Sequence, residues 1–329
     1  MTCPASLTDI PENPCPEGAE AFWFAGYDGR QLRGAVWPAT ADAPRGTVLL
    51  FSGRTEFIEK YFEVVTQLRE RGYAVATMDW RGQGLSARMT GNRLKGHIDD
   101  FSEYDRDLAC FLKLIGERQM PAPYVGLAHS MGGNILLRWL YLQDTGAALA
   151  RGLPKLEKLV LSAPMVDIAL KPWMKGLMRG FGFTGMALGL GDAYLPGGSD
   201  KDAVGSHAFE GNSVTSDPQR YARQVALVEA NPNLALASVT CGWAGAASES
   251  MDWVQSDQFA RAITTPVLFA GAENDLLVPD QGVAAQARRM RTGQYLKCVG
   301  CKHEILMEQD DLQAPFWAAF DAFLAPQTA

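Results

Sequence analysis

Short, wholly apolar runs alternate with amphipathic stretches along this chain, and that alternation leaves few folds open to it. Gly46–Phe51, Tyr73–Trp80, Tyr124–Leu127 and Leu159–Ala163 have strand length and are apolar almost throughout, as strands buried on both faces are. Between them lie Phe57–Arg71, Phe101–Glu117 and Met131–Leu142, with apolar residues at helical spacing; Ile135, Leu136, Trp139 and Leu140 share one face. Units of this kind predict an α/β fold, a mostly parallel central sheet flanked by helices. Residues 21–25 and 32–37, split by the Asp28-Gly29 turn, add a hairpin at the start.

The alternation stops near Met165 and resumes at Pro266–Gly271, with a helix at 280–290, a strand at 293–299 and a last helix at 311–324. The interval has several helical patterns, many glycines and no strong buried strand. It reads as an insertion after the sixth strand, which divides the chain into a core segment 1–165, a mainly helical cap 166–255 and a second core segment 256–329.

Ser130 lies where one of these strands should turn into a helix, in Ala128-His129-Ser130-Met131-Gly132. A serine held on so sharp a turn is a nucleophile elbow, and the residues two before and two after it must be small for strand and helix to approach. Alanine stands at the first of these positions, where glycine is commoner, and a methyl group is the smallest replacement for hydrogen.

A serine hydroxyl is a poor nucleophile unless a base lies within hydrogen-bond reach, itself oriented by a carboxylate. The chain has 4 histidines: His97, His129, His207 and His303. His129 neighbours the serine, but adjacent side chains on an elbow point apart. His207 falls in the insertion, and His97 reads as structural. His303 follows the last strand, at the carboxyl edge of the sheet where open α/β sheets place their sites, and is the expected base. The loop after the preceding strand, Gly271–Pro279, offers Asp275, with Glu273 in reserve and Asp280 further on. Asp275 is favoured because Leu276–Val278 would pin the loop to the core. The order Ser, Asp, His is that of the α/β-hydrolases. An oxyanion hole needs two backbone N–H donors; Met131 supplies one, and Gly53 would permit the close turn that presents the Arg54 amide as the other.

Phe51-Ser-Gly-Arg-Thr-Glu-Phe57, Asp79-Trp-Arg-Gly-Gln-Gly-Leu-Ser86, Gly96-His-Ile-Asp-Asp-Phe101, Ala128–Gly133, Asp275 and His303-Glu304 together resemble the lysophospholipase and monoacylglycerol lipase branch of the α/β-hydrolase superfamily, over nearly the whole core. Thr215–Pro218 through Trp243 is similar to bacterial lysophospholipase-like members. Many relatives carry His-Gly where this chain has Ser52-Gly53, so side-chain support of the oxyanion loop is expected to differ. The resemblance implies ester hydrolysis through an acyl-enzyme, with no metal or organic cofactor needed, and makes 79–86 and 96–101 scaffold around the site. A small-ester carboxylesterase or a thioesterase would use the same machinery, a dehalogenase would need aspartate at position 130, and a catalytically silent binding module is the non-enzymatic alternative.

Within the insertion, Leu170–Phe181 reads as a helix with Leu170, Trp173, Met174, Leu177, Met178 and Phe181 on one side and Lys171, Lys175 and Arg179 beside them. Such a face either packs on a core or touches lipid, so Trp173, Leu177, Phe181 and the Gly53 turn are the candidate substrate-binding residues, and transient contact of the cap with a membrane surface is expected. Gly180–Leu195 continues apolar among glycines, as a mobile lid would. Asp217-Pro218 reads as a helix cap followed by proline at the first helical position.

The remaining composition narrows the functional classes. A formal net charge of −7 without blocks of like charge argues against long-range attraction to nucleic acid or to anionic lipid. No basic start precedes an apolar stretch and no run is long enough to span a bilayer, so the expected location is the cytoplasm, peripheral to the inner face of the membrane. The 6 cysteines read as free thiols, and Cys298-Val-Gly-Cys301 lacks the second ligand pair of a zinc site.

Overall fold

The computed structural model describes residues 2–202 and 208–325; His207 lies outside them. Its centre is a 9-stranded sheet, in spatial order β1 (Cys3–Pro4), β2 (Glu20–Ala25), β3 (Gln31–Trp37), β5 (Ala74–Met78), β4 (Thr47–Phe51), β6 (Tyr124–His129), β7 (Leu156–Ser162), β8 (Val267–Ala272) and β9 (Gly293–Cys298). The first three strands and the β3–β5 pair are antiparallel, and every pairing from β5 through β9 is parallel. The strands are apolar on both faces because helices cover both. Leu49 and Phe51 of β4 join one buried cluster and Val48 and Leu50 the other, as the two-residue period of a strand requires.

The helices are α1 (Phe62–Glu70), α2 (Ser102–Glu117), α3 (Ser130–Asp144), α4 (Pro172–Ala187), α5 (Pro218–Ala230), α6 (Cys241–Val254), α7 (Asp257–Ala262), α8 (Asp280–Arg289) and α9 (Asp310–Leu324). Residues 58–61, expected as the start of α1, form a separate turn of tighter helix. Helices α4–α7 lie between β7 and β8 in the chain. That is one strand later than expected, because Cys3–Pro4 pairs with Phe22 and Trp23 as an extra strand too short for any sequence pattern to mark.

The first half of the glycine-rich stretch 180–195 is helical, ending with α4 at Ala187. A Cβ on Gly182 would lie 2.6 Å from the Gly245 Cα and one on Gly185 2.7 Å from the Cys241 Cβ, so these glycines let α4 and α6 approach backbone to backbone. They are packing residues, where the sequence suggested a flexible lid. At α5 the Asp217 carboxylate accepts hydrogen bonds from the Gln219 and Arg220 amides, the expected cap.

Between them, β5 and β6 flank β4 on opposite sides. The chain therefore changes direction across the sheet at β4, and the loops leaving β4 and β6 bound a crevice at the carboxyl ends of the strands. The site lies there.

Candidate active site

Ser130 directly follows β6 and opens α3 with φ of +49°, a backbone conformation that side chains rarely adopt. The neighbours enforce it. A Cβ at Gly132 would sit 2.5 Å from the Ser52 carbonyl oxygen, so that position admits only glycine, whereas Ala128, paired with Phe51 of β4 and Leu161 of β7, is fully buried and its methyl joins the apolar core on one face of the sheet. The Ser130 carbonyl accepts from the Met165 amide at 2.9 Å, which ties the elbow to the chain leaving β7.

From this elbow a hydrogen-bond chain runs outward. Ser130 Oγ lies 3.0 Å from His303 Nε2, and His303 Nδ1 lies 2.7 Å from Asp275 Oδ2. Both side chains of the His303–Asp275 pair are almost completely buried. The other Asp275 oxygen accepts from the Leu277 and Val278 amides at 2.8 and 2.9 Å, which fixes the carboxylate and the loop together. Glu273 instead faces outward, 2.8 Å from Lys297 and accepting from the Gly300 amide. Asp280 accepts from the Tyr295 hydroxyl.

Gly53 abuts the elbow: a Cβ there would lie 2.9 Å from His129 Cδ2 and 3.0 Å from Ser130 Cβ. The loop after β4 is held by side chains of the 79–86 scaffold, none of which the sequence had given an individual role. The Gln83 side chain bridges it, donating to the Gly53 carbonyl at 3.0 Å and accepting from the Thr55 amide at 2.8 Å, while Trp80 donates to the Ser52 carbonyl at 2.9 Å. The Gly53 amide donates to Glu56. Ser52, the departure from His-Gly, makes no side-chain hydrogen bond among the described residues. The Arg54 N–H likewise meets no acceptor among them, and the Met131 N–H belongs to the first turn of α3, where no intrahelical acceptor exists. Two amides beside the serine are thus available to an oxygen atom.

Behind the serine lies a buried charged cluster that the sequence left unread. Lys60 Nζ is 2.8 Å from Glu56 and 2.6 Å from Glu304. Burial alone would raise the Glu56 carboxyl, but Lys60 outweighs it and holds the group at about 2; burial raises Glu304 despite the same lysine. A single cation thus serves two carboxyls. The spacing of Glu56 and Lys60 was the available signal, being one helical turn.

His129 does turn away from the hydroxyl, with Nδ1 donating to the Ser162 carbonyl at 3.0 Å, but its ring packs against His303 with centroids 4.7 Å apart. Burial pulls its pKa from 6.5 to about 4, against the pull of Glu56. It therefore stays neutral above about pH 4. The sign of the stability effect follows: the unfolded imidazole binds a proton below about pH 6.5 and the folded one only below about pH 4, so falling pH favours unfolding through that window, by a total on the order of 3 kcal/mol. His129→Asn can keep the bond to Ser162 and removes the titration. Unfolding free energies of the two proteins should differ by a constant above pH 7, with wild type losing ground between pH 6.5 and 4; a difference independent of pH would refute the assignment.

His97 bonds Thr240 at 2.7 Å and lies 3.2 Å from Asp99. Cys298 and Cys301 are free buried thiols, and the Cys301 neighbour, then burial, push the Cys298 pKa up, away from the thiolate.

Ser130, His129, His303 and Arg54 open into a pocket of about 340 Å³, walled largely by apolar side chains including Met165, Ile168, Leu170, Val239, Trp243 and Leu276–Val278. Trp173, Leu177 and Phe181 do not line it. They lie on the outer face of α4, at 63%, 51% and 43% exposure, because α4 turns its glycines, not its aromatic stripe, toward α6. In the basic row beside them, Lys175 pairs with Asp167 and Arg179 with Asp252.

The sheet order, the elbow and the crevice at β4 define an α/β-hydrolase. Residues 42–310 match the family model described as serine aminopeptidase, S33 (Hydrolase_4), and the chain belongs to that family. The chain is similar to the probable lysophospholipase L2 of Haemophilus influenzae, 26% identical over 287 residues that cover 87% of this chain and 86% of that protein. It is also 29% identical over 284 residues to the lysophospholipase L2 of Escherichia coli, covering 81% and 76%. Among solved structures, a soluble variant of Saccharomyces cerevisiae monoglyceride lipase in complex with a substrate analogue superposes with a TM-score of 0.71 at 18% identity, covering 93% of this chain and 95% of that one. A thermostable carboxyl esterase from Bacillus coagulans gives a TM-score of 0.71 at 18% identity, covering 94% and 98%. At that identity these two show the shared fold.

Proposed function

We propose that this protein hydrolyses the carboxylic ester of monoacyl lipids, lysophospholipids or monoacylglycerols, through an acyl-enzyme on Ser130. His303 takes the Ser130 proton as Oγ attacks the ester carbonyl, and Asp275 holds the ring in the tautomer with its proton on Nδ1 and stabilises the imidazolium. The Arg54 and Met131 amides receive the oxyanion, aided by the positive end of α3. His303 then gives its proton to the leaving alcohol and activates the water that frees the fatty acid.

The observation that carries this reading is the hydrogen-bond chain Ser130–His303–Asp275 opening into an apolar pocket. The names of the two lysophospholipase L2 relatives support the substrate class. An aminopeptidase, the activity in the family's description, must hold a substrate ammonium. The glutamates lining this pocket, Glu56 and Glu304, are both paired to Lys60, which favours esters.

In this reading residues 166–255 are the cap, and the exposed face of α4 meets the lipid surface from which substrate is drawn. No described helix is long and apolar enough to cross a membrane, so the contact is peripheral. Trp173, Leu177 and Phe181, with Leu188 at 74% exposure, form an apolar patch of the kind that marks such contacts. The test is a panel of chromogenic esters of rising chain length together with monoglycerides and lysophospholipids, dispersed or in vesicles. Activity should rise from acetate toward medium or long chains, and Leu177→Glu with Phe181→Glu should lower hydrolysis of vesicle-borne substrate about tenfold or more relative to a monomeric ester. A strict preference for acetate would overturn the lipid assignment.

A further inference from the structure

Among the described residues, most buried arginines are matched with carboxylates; two are not, and one of these lies in the pocket. Arg33 pairs with Glu59 and Asp79, Arg81 with Asp28 and Asp107, Arg138 with Asp105, and Arg220 with Glu63 and Asp310. Arg88 has no carboxylate partner, yet its donors reach the carbonyls of Ser86, Arg93, Asn233 and Ala235. Arg54 has neither arrangement. Of its five N–H donors, one bonds the Ala237 carbonyl; Nε is buried with no acceptor among the described residues, and no ion pair forms there.

An unmatched buried donor on a cation is costly and calls for a reason. The surroundings hold this guanidinium in place without neutralising it. It stacks over the Trp243 ring at 5.5 Å, and Gly96 makes room for it, since a Cβ there would lie 2.8 Å from Nη2. Burial lowers its pKa to about 10, which leaves it charged at neutral pH. It lines the pocket that holds Ser130, whose Glu56 and Glu304 are already engaged by Lys60.

We propose that the Arg54 guanidinium binds the phosphate of a lysophospholipid headgroup, making Arg54 a specificity-determining residue of this pocket; the proposal rests on the ester-hydrolase reading above. The geometry suits that substrate. The glycerol carbons between the ester oxygen and the phosphate span about the length of an arginine side chain, so with the oxyanion at the Arg54 amide the guanidinium of the same residue, held against Ala237 and Trp243 at the pocket wall, is within reach of the phosphate. A planar, fixed fork matches phosphate oxygens better than an ammonium would.

The experiment compares kcat/KM for a lysophosphatidylcholine and for the monoacylglycerol of the same acyl chain, in wild type, Arg54→Lys and Arg54→Gln. Loss of a charged hydrogen bond should lower the lysophospholipid-to-monoglyceride ratio about 10- to 100-fold in Arg54→Gln, mainly through KM, with Arg54→Lys between. An unchanged ratio would overturn the proposal while leaving ester hydrolysis intact; wild type that cleaves neither lipid overturns the monoacyl-lipid reading and this proposal with it. A second measurement needs no variant: dodecylphosphocholine should compete with a short chromogenic ester at least about tenfold better than dodecyl maltoside does, and far better than inorganic phosphate. Equal inhibition by the two detergents, or inorganic phosphate competing as well as the lipid phosphate, would count against headgroup recognition.

Discussion

Ser130→Ala is expected to lower kcat for ester hydrolysis by about 10⁵- to 10⁶-fold, since removal of the nucleophile from a cooperative triad costs nearly everything the triad supplies. The residual rate would come from the amides and the pocket. The same position should show a trade between activity and stability. At φ of +49°, alanine keeps the backbone strain that serine bears and glycine does not. Ser130→Gly should therefore be as inactive as Ser130→Ala but more stable by about 1 kcal/mol, read from chemical denaturation. A glycine variant no more stable than the alanine one would mean that the elbow stores no strain.

The second large effect is expected at Asp275. Asparagine can still accept from the Leu277 and Val278 amides through one oxygen, so the pocket wall should persist, but it no longer fixes the His303 tautomer or stabilises the imidazolium. Asp275→Asn should therefore lower kcat by about 10⁴-fold with little change in thermal stability. Glu273→Gln, at the exposed carboxylate beside Lys297, should change the rate by less than about threefold. Comparable losses in the two variants would show that the loop as a whole, and not one carboxylate, supports the histidine.

Much of the core could be read from sequence because buried parallel strands must be apolar along their length, as Thr47–Phe51 and Val267–Ala272 are, and because an elbow demands small residues around its serine. The chain order of Ser130, Asp275 and His303 then followed from where strands end. What escaped was set by contacts distant in sequence. Gly182 signalled flexibility only because its partner, Gly245, stands far along the chain; together they make a tight helix crossing. Periodicity correctly put Trp173, Leu177 and Phe181 on one face of α4 but carries no information about what that face meets. The two-residue β1 has no periodicity to detect. Gln83 read only as part of the 79–86 scaffold, yet its side chain clamps the Gly53–Thr55 loop, a role visible only once β4 and the chain after β5 are seen side by side.

The central claim, a monoacyl lipid ester opened by Ser130, is tested most directly by acid-quenching the protein within the first turnovers of a lysophosphatidylcholine or monoacylglycerol and mapping the modified peptide by mass spectrometry. A single acyl group on Ser130, absent from Ser130→Ala, is the expected result. Release of fatty acid with the acyl group on another residue, or turnover that survives in Ser130→Ala, would contradict it.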